Sequence, residues 1–293
     1  MSIFLSLLVS LTVGVFADPA GPSYSVRSFN LIGGKGDASS FTVMTEERYN
    51  DEPEKLKDVI TQVIGESVIT VIQGVLDEQV YVSIVDDLKE NYPDQGWEYY
   101  TGDLDKNDDD DLGERMGFFF RSSLVNFLET GTWQEDNDKF HRAPVYAHVN
   151  CSKCKLKDFY IFNFHAWPET ALDEINAMPA FYHTVSAHFG VEDMLFAGSI
   201  DAADYITPDD IKDSLPSSEP GFHWLIGNKV DSLTNSSVSG SLQRLLACTD
   251  AVLQGFRGKH GQSVKVKQKY NLTREEAYQI SALKPIEMEL KHH

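Results

Sequence analysis

Short runs in which almost every position is apolar alternate along the chain with longer stretches whose apolar residues recur every three or four positions. Val68-Ile69-Thr70-Val71-Ile72 is short, β-branched and apolar on both faces, which predicts a strand covered on both sides. Met116 to Phe120, Phe159 to Phe164 and Met194 to Ala197 predict three more strands of the same kind. Between Glu169 and Phe189 the spacing of Leu172, Ile175, Phe181, Val185 and Phe189 is helical, with Pro179 expected to kink the helix. Thr207-Pro208-Asp209-Asp210 reads as a helix start: Thr caps, Pro suits the first turn, and carboxylates face the positive end of the dipole. Thr273-Arg274-Glu275-Glu276 has capping-box spacing. Strands interleaved with helices and long polar loops predict an α/β sandwich. Neither a Pro/Gly-rich linker nor an internal repeat divides it, so one domain is expected over residues 18–293.

The run from Ile3 to Phe16 is apolar but too short for a bilayer and ends in Val15-Phe16-Ala17, a small-x-small cleavage pattern. A signal peptide over residues 1–17 and secretion are expected, although no Lys or Arg precedes the run. No later stretch has the roughly 18 apolar residues of a membrane anchor. The sequons at Asn150, Asn235 and Asn271 fit a secretory route. Cys151, Cys154 and Cys248 are an odd number, so at most one internal bridge forms; a local Cys151–Cys154 disulfide is expected, with Cys248 buried or bonded to another chain. With 42% hydrophobic and 24% charged residues, the 293-residue chain has a globular composition that excludes collagen-like, low-complexity and multi-span classes. Its formal charge of −20 argues against tight nucleic-acid binding, although bound divalent cations can offset such a charge.

Nine short segments then stand in a recognisable order: Arg27 to Ile32, Val71 to Val75, Glu114 to Arg121, Arg142 to Val145, Phe162 to Ala166, Gly198 to Ala202, Phe222 to Ile226, Cys248 to Ala251 and Tyr270 to Pro285. In order and spacing they resemble the secreted deoxyribonuclease I family, over nearly the whole chain after the leader. The resemblance implies the four-layered α/β/β/α sandwich of the endonuclease/exonuclease/phosphatase superfamily. It also implies phosphodiester hydrolysis by two histidines, with carboxylates that orient them and hold Mg²⁺ or Ca²⁺ and asparagines that position the phosphate. His165 matches one catalytic histidine, Glu114 its supporting glutamate, Asn30 the first-strand asparagine, Arg142 a DNA-contacting arginine and Asp250 the aspartate of a Y-D-R motif.

Other positions depart from the pattern. The metal-binding glutamate of I-Q-E-V is Gly74, and the arginine after it is Leu76. G-D-F-N reads Gly198-Ser199-Ile200-Asp201, and S-D-H-x-P reads Ser281-Ala282-Leu283-Lys284-Pro285. The tyrosine of Y-D-R falls at Thr249 and its arginine at Ala251, and the partner of the family's essential disulfide is absent, leaving Cys248 unpaired. One positioned proton-transfer group is worth roughly 10²–10⁴-fold in rate, so these losses point to a pseudoenzyme in which Glu114, His165 and Asp250 persist as a buried polar cluster.

Exchanging large polar groups for small or apolar ones predicts a roomier, more apolar cleft around Gly74, Leu76, His165, Thr249 and Leu283. It fits a small ligand or pigment, or a protein partner that includes a second copy of the chain; a collapsed core without ligand is the third outcome. Asp103, Asp105, Asn107, Asp109 and Glu114 also fall at oxygen-ligand positions of a calcium loop, though Asp108 stands where a glycine makes the turn. The opposing reading is an active metal-dependent nuclease or phosphodiesterase rebuilt from Asp201, Asp250, Glu114 and His165, with His141 or His183.

Overall fold

The structure, a computed structural model, describes residues 23–33, 42–104, 113–134, 139–200, 206–234 and 241–293. Residues 1–17, expected to be a signal peptide, and Asp105, Asn107, Asp109, Asp201 and Asn235 lie outside the described residues.

Two six-stranded sheets carry the fold. One holds β1 (Ser25–Asn30), β2 (Ile69–Val75), β3 (Trp97–Thr101), β4 (Arg115–Arg121), β11 (Gln262–Ser263) and β12 (Ile286–Glu289), in the order β11-β12-β1-β2-β4-β3. The other holds β5 (Asn126–Thr132), β6 (Val145–Asn150), β7 (Asp158–His165), β8 (Met194–Ser199), β9 (His223–Trp224) and β10 (Gln243–Ala247), in the order β5-β6-β7-β8-β10-β9. The four strands expected from apolar runs are β2, β4, β7 and β8.

Those runs are apolar at successive positions because each sheet is covered on both faces. Val71, Phe118, Ile161, Leu195 and Leu245 pack between the sheets. The alternate residues Ile72 and Phe119 turn outward onto Ile60, Ile64, Ile84 and Leu88 of the helices Glu54–Gly65 and Glu78–Asn91. On the far side Phe162, Phe196 and Leu246 meet Ile175, Met178 and Val185 of the helix Ala171–Phe189. The layers are therefore α/β/β/α, as the segment order implies. The helix Ala171–Phe189 runs through Pro179 as one element. Thr207 and Thr273 each complete a capping box, with Asp210 and Glu276 respectively. The Cys151–Cys154 disulfide forms and Cys248 is a buried thiol. No described helix is long and apolar enough to cross a membrane.

A polar tie crosses the inter-sheet core. Asn163 Nδ2 donates to Ile72 O at 2.8 Å and Gly117 O at 3.0 Å, and Asn163 Oδ1 accepts from Gln73 Nε2 at 2.8 Å. This pins the end of β7 to the ends of β2 and β4. Because β1 runs parallel to β2, and β7 to β8, the C-terminal ends of all four strands open on the same edge of the sandwich.

Candidate active site

Glu114 immediately precedes β4 and is the node of that edge. Between Ile72 and Val75 the pairing of β2 with β4 shifts register, and Gly74 sits there at φ +78°, turning its N–H to Glu114 Oε1 at 2.6 Å. Glu114 Oε2 accepts from His165 Nδ1 at 2.7 Å and from Arg142 Nε at 3.0 Å. Glu114 and His165 are 1% and 3% exposed, so both side chains are shielded from water. Burial alone pushes the carboxyl's pKa up. The facing charges of His165 and Arg142, the His165 hydrogen bond and the Gly74 N–H outweigh it and hold Glu114 down at about 2.

With Nδ1 turned to Glu114, the other ring nitrogen of His165, Nε2, faces Asn30 Nδ2 at 3.4 Å. Asn30 Oδ1 accepts from Ile32 N at 2.8 Å. Arg142 lies over the Trp167 ring at 5.1 Å, and that ring stacks on His141 at 4.5 Å. Of the residues matched to the family, the structure thus brings together Glu114, His165, Asn30 and Arg142.

The cleft is not roomier at Gly74. A Cβ built there would lie 2.6 Å from Ile32 Cγ1 and 2.7 Å from Asn30 Oδ1, because the backbone has moved into the volume a side chain would use. Leu76 is partly exposed just beyond β2, its N–H donating to Met44 O at 2.9 Å. The segment after the last helix is stitched to the end of β1: Ala282 N donates to Ile32 O at 2.7 Å, and Ser281 Oγ donates to Asn30 O. Leu283 is buried.

Thr249 and Asp250 do not belong to this site. β10 runs antiparallel to β8, with Gln243 opposite Ser199 and Ala247 opposite Leu195. The chain therefore travels about 13 Å away from His165 before it reaches Thr249. There Thr249 caps the helix Asp250–Gly255 and donates to Asp193 Oδ1 at 2.6 Å, while the exposed Asp250 pairs with His223 Nε2 at 2.6 Å. The residues at the site end of β10 are Leu242-Gln243-Arg244, with Gln243 opposite Ser199. Gln243 Nε2 donates to Lys284 O at 3.2 Å. Arg244 reaches Ile226 O and Asn228 Oδ1 at 3.0 and 2.9 Å, and burial lowers its pKa to about 10. Ser199 Oγ and Gln243 Oε1, on paired residues, are buried with no hydrogen-bond partner among the described residues.

Glu114, the last position of the calcium-loop pattern, turns its two oxygens inward to Gly74, His165 and Arg142. Asp103 is exposed, its N–H on Thr132 Oγ1 at 3.4 Å. Among the described residues no three His, Cys, Asp or Glu side chains cluster as metal ligands do. His183 is exposed on the outer helix, paired with Glu219 at 3.3 Å. The sequence reading missed Asn163, Gln73 and Gln243; the signal for the first two is a polar residue inside an otherwise apolar strand.

No protein-family profile matches the chain. Human deoxyribonuclease gamma is 24% identical over 259 residues, covering 86% of this chain and 85% of that protein. Rat deoxyribonuclease-1 is 25% identical over 253 residues, covering 80% and 84%. Among solved structures, an endonuclease/exonuclease/phosphatase family protein from Bacteroides thetaiotaomicron superposes with a TM-score of 0.57 at 16% identity, covering 92% of this chain and 97% of that one.

Proposed function

We propose that this chain, a deoxyribonuclease I-like member of the endonuclease/exonuclease/phosphatase superfamily, is secreted, does not hydrolyse phosphodiesters and uses the inherited scaffold to bind a ligand. The observation that carries this reading is Gly74: its positive φ and the contacts its Cβ would make leave no place for the family's metal-binding carboxylate. A hard divalent ion requires several free oxygen ligands. The described part of the cleft offers Glu114, whose oxygens already accept from Gly74, His165 and Arg142. The donor set does not fit such an ion.

The residues that remain also lack the second proton carrier. Leu283 stands where the resemblance places the other histidine, and it presents no titratable atom. His165 is held by Glu114 and Asn30 in a closed polar cluster of the kind that persists for structural reasons. Ser199 Oγ and Gln243 Oε1, without a partner among the described residues, support a binding role, since orphaned buried polar atoms call for a polar group to complete them. The disulfide supports passage through an oxidising compartment.

The test is digestion of supercoiled plasmid with Mg²⁺ and Ca²⁺, at matched concentration beside an active deoxyribonuclease I. No nicking is expected. Nicking that disappears in His165→Ala overturns the proposal and supports hydrolysis by a rebuilt site, the reading that the intact Glu114–His165 pair favours.

A further inference from the structure

Beside Leu283 lies a cavity of about 330 Å³, within the range of small-molecule sites. Its floor is apolar, made by Phe29, Ile280, Leu283 and Pro285, all buried. Its small wall residues, Ala277 and Ser281, leave the volume open. The mouth carries Lys267, Arg274 and Lys284, and no carboxylate is among the lining residues, in a chain whose formal charge is −20. Lys284 Nζ is committed to Asp231 at 2.5 Å. Lys267 and Arg274 are exposed and form no ion pair among the described residues, although acidic side chains are abundant elsewhere on the surface.

We propose that this cavity binds an amphipathic anion, with a carboxylate, sulfonate or phosphate-ester head between Lys267 and Arg274 and an apolar body against Phe29, Ile280 and Leu283. The inference deepens the binding role proposed above and rests on it. Apolar burial supplies the non-directional part of the attraction, and the two cations set the sign of the ligand. Leu283 is the link to the altered cleft: with an imidazole at that position the floor carries a polar, protonatable group, whereas leucine makes it continuous with Phe29 and Ile280. Gly74, Leu76, His165 and Thr249 do not line this cavity.

Isothermal titration of the full chain with decanoate, below its micellar concentration, tests the assignment, with decyltrimethylammonium as the ligand of equal tail and opposite charge. Decanoate should bind one to one, and the cation at least tenfold more weakly. The exposed double variant Lys267→Gln/Arg274→Gln should weaken decanoate about tenfold or more without changing the fold. Ala277→Leu, which grows into the cavity, should abolish binding. Equal binding of the two amphiphiles, no binding of decanoate at millimolar concentration, or wild-type affinity in the double variant overturns the assignment. Plasmid nicking on the same preparations separates the two proposals: nicking with charge-selective decanoate binding defeats only the non-hydrolytic reading, and neither nicking nor binding defeats only the cavity.

Discussion

The Gly74 N–H donates to Glu114 Oε1 across the end of the first sheet, so the position at which the family carries a metal-binding carboxylate here serves Glu114 through its backbone. That arrangement requires the bulge between Ile72 and Val75 and a φ of +78°. A side chain at residue 74 then meets strain from the left-handed backbone and from Asn30 Oδ1 and Ile32 together. Gly74→Glu is therefore expected to destabilise the fold by about 2–4 kcal/mol, seen as a lower urea midpoint, and to leave plasmid nicking absent. Wild-type stability together with gained Mg²⁺-dependent cleavage would show that the carboxylate site is still open.

The same carboxylate sets an acid limb. Glu114 has a folded pKa of about 2 against an ordinary 4.5, so the ionised form favours the folded state. That contribution is fully present above the unfolded pKa and is lost as pH falls from about 4.5 through 2. Its size is on the order of 3 kcal/mol. Urea midpoints measured between pH 6 and pH 2 should fall steeply for the wild type. Glu114→Gln should be less stable at pH 6 and should converge on the wild type at the acid end. Parallel curves would mean that Glu114 is not what titrates.

How far the letters of the chain reach is seen by comparing β7 with β10. Phe159 to Phe164 is apolar at every position but Asn163, and a strand covered on both faces accounts for that in so few residues, so β7 and its terminal His165 are legible. The apolar run Leu245 to Cys248, which falls in and just after β10, is flanked by polar residues at both ends. Cys248-Thr249-Asp250-Ala251 resembles the expected motif more closely than Leu242-Gln243-Arg244 does. Which flank faces His165 depends on antiparallel pairing with β8, a long-range relationship that local pattern does not carry. The closure around Gly74 is hidden for a related reason: the loss of a side chain reads as free space in a sequence, whereas a glycine lets the backbone move in.

Asn163 joins the sheets where the pattern predicts only an apolar strand. Asn163→Leu keeps the volume but leaves Ile72 O, Gly117 O and Gln73 Nε2 without their partner. Leaving buried polar groups unsatisfied costs about 1–3 kcal/mol each, with some relief from relaxation. A loss of about 3 kcal/mol in unfolding free energy is expected, with faster hydrogen exchange at the ends of β2 and β7. A loss below about 1 kcal/mol would mean that water or another side chain replaces the amide.

The last prediction asks whether the site lacks one group or has been rebuilt. The double change Leu283→His/Ala282→Asp restores both family letters in the segment stitched to β1 through Ala282 N and Ser281 Oγ. If only those groups were missing, the intact Glu114–His165 pair would regain a proton-transfer partner worth roughly 10²–10⁴-fold in rate. Gly74 still provides no carboxylate, however, and Gln243 rather than an aspartate stands at the site end of β10. The expected outcome is a folded protein, destabilised by about 2–3 kcal/mol for polar groups placed at two buried positions, that still does not nick plasmid with Mg²⁺ and Ca²⁺. An imidazole in the floor of the neighbouring cavity should also weaken decanoate, which links the two readings through one residue. Cleavage by this variant would show that the scaffold needs two side chains, and not a new strand geometry at Gly74, to hydrolyse a phosphodiester.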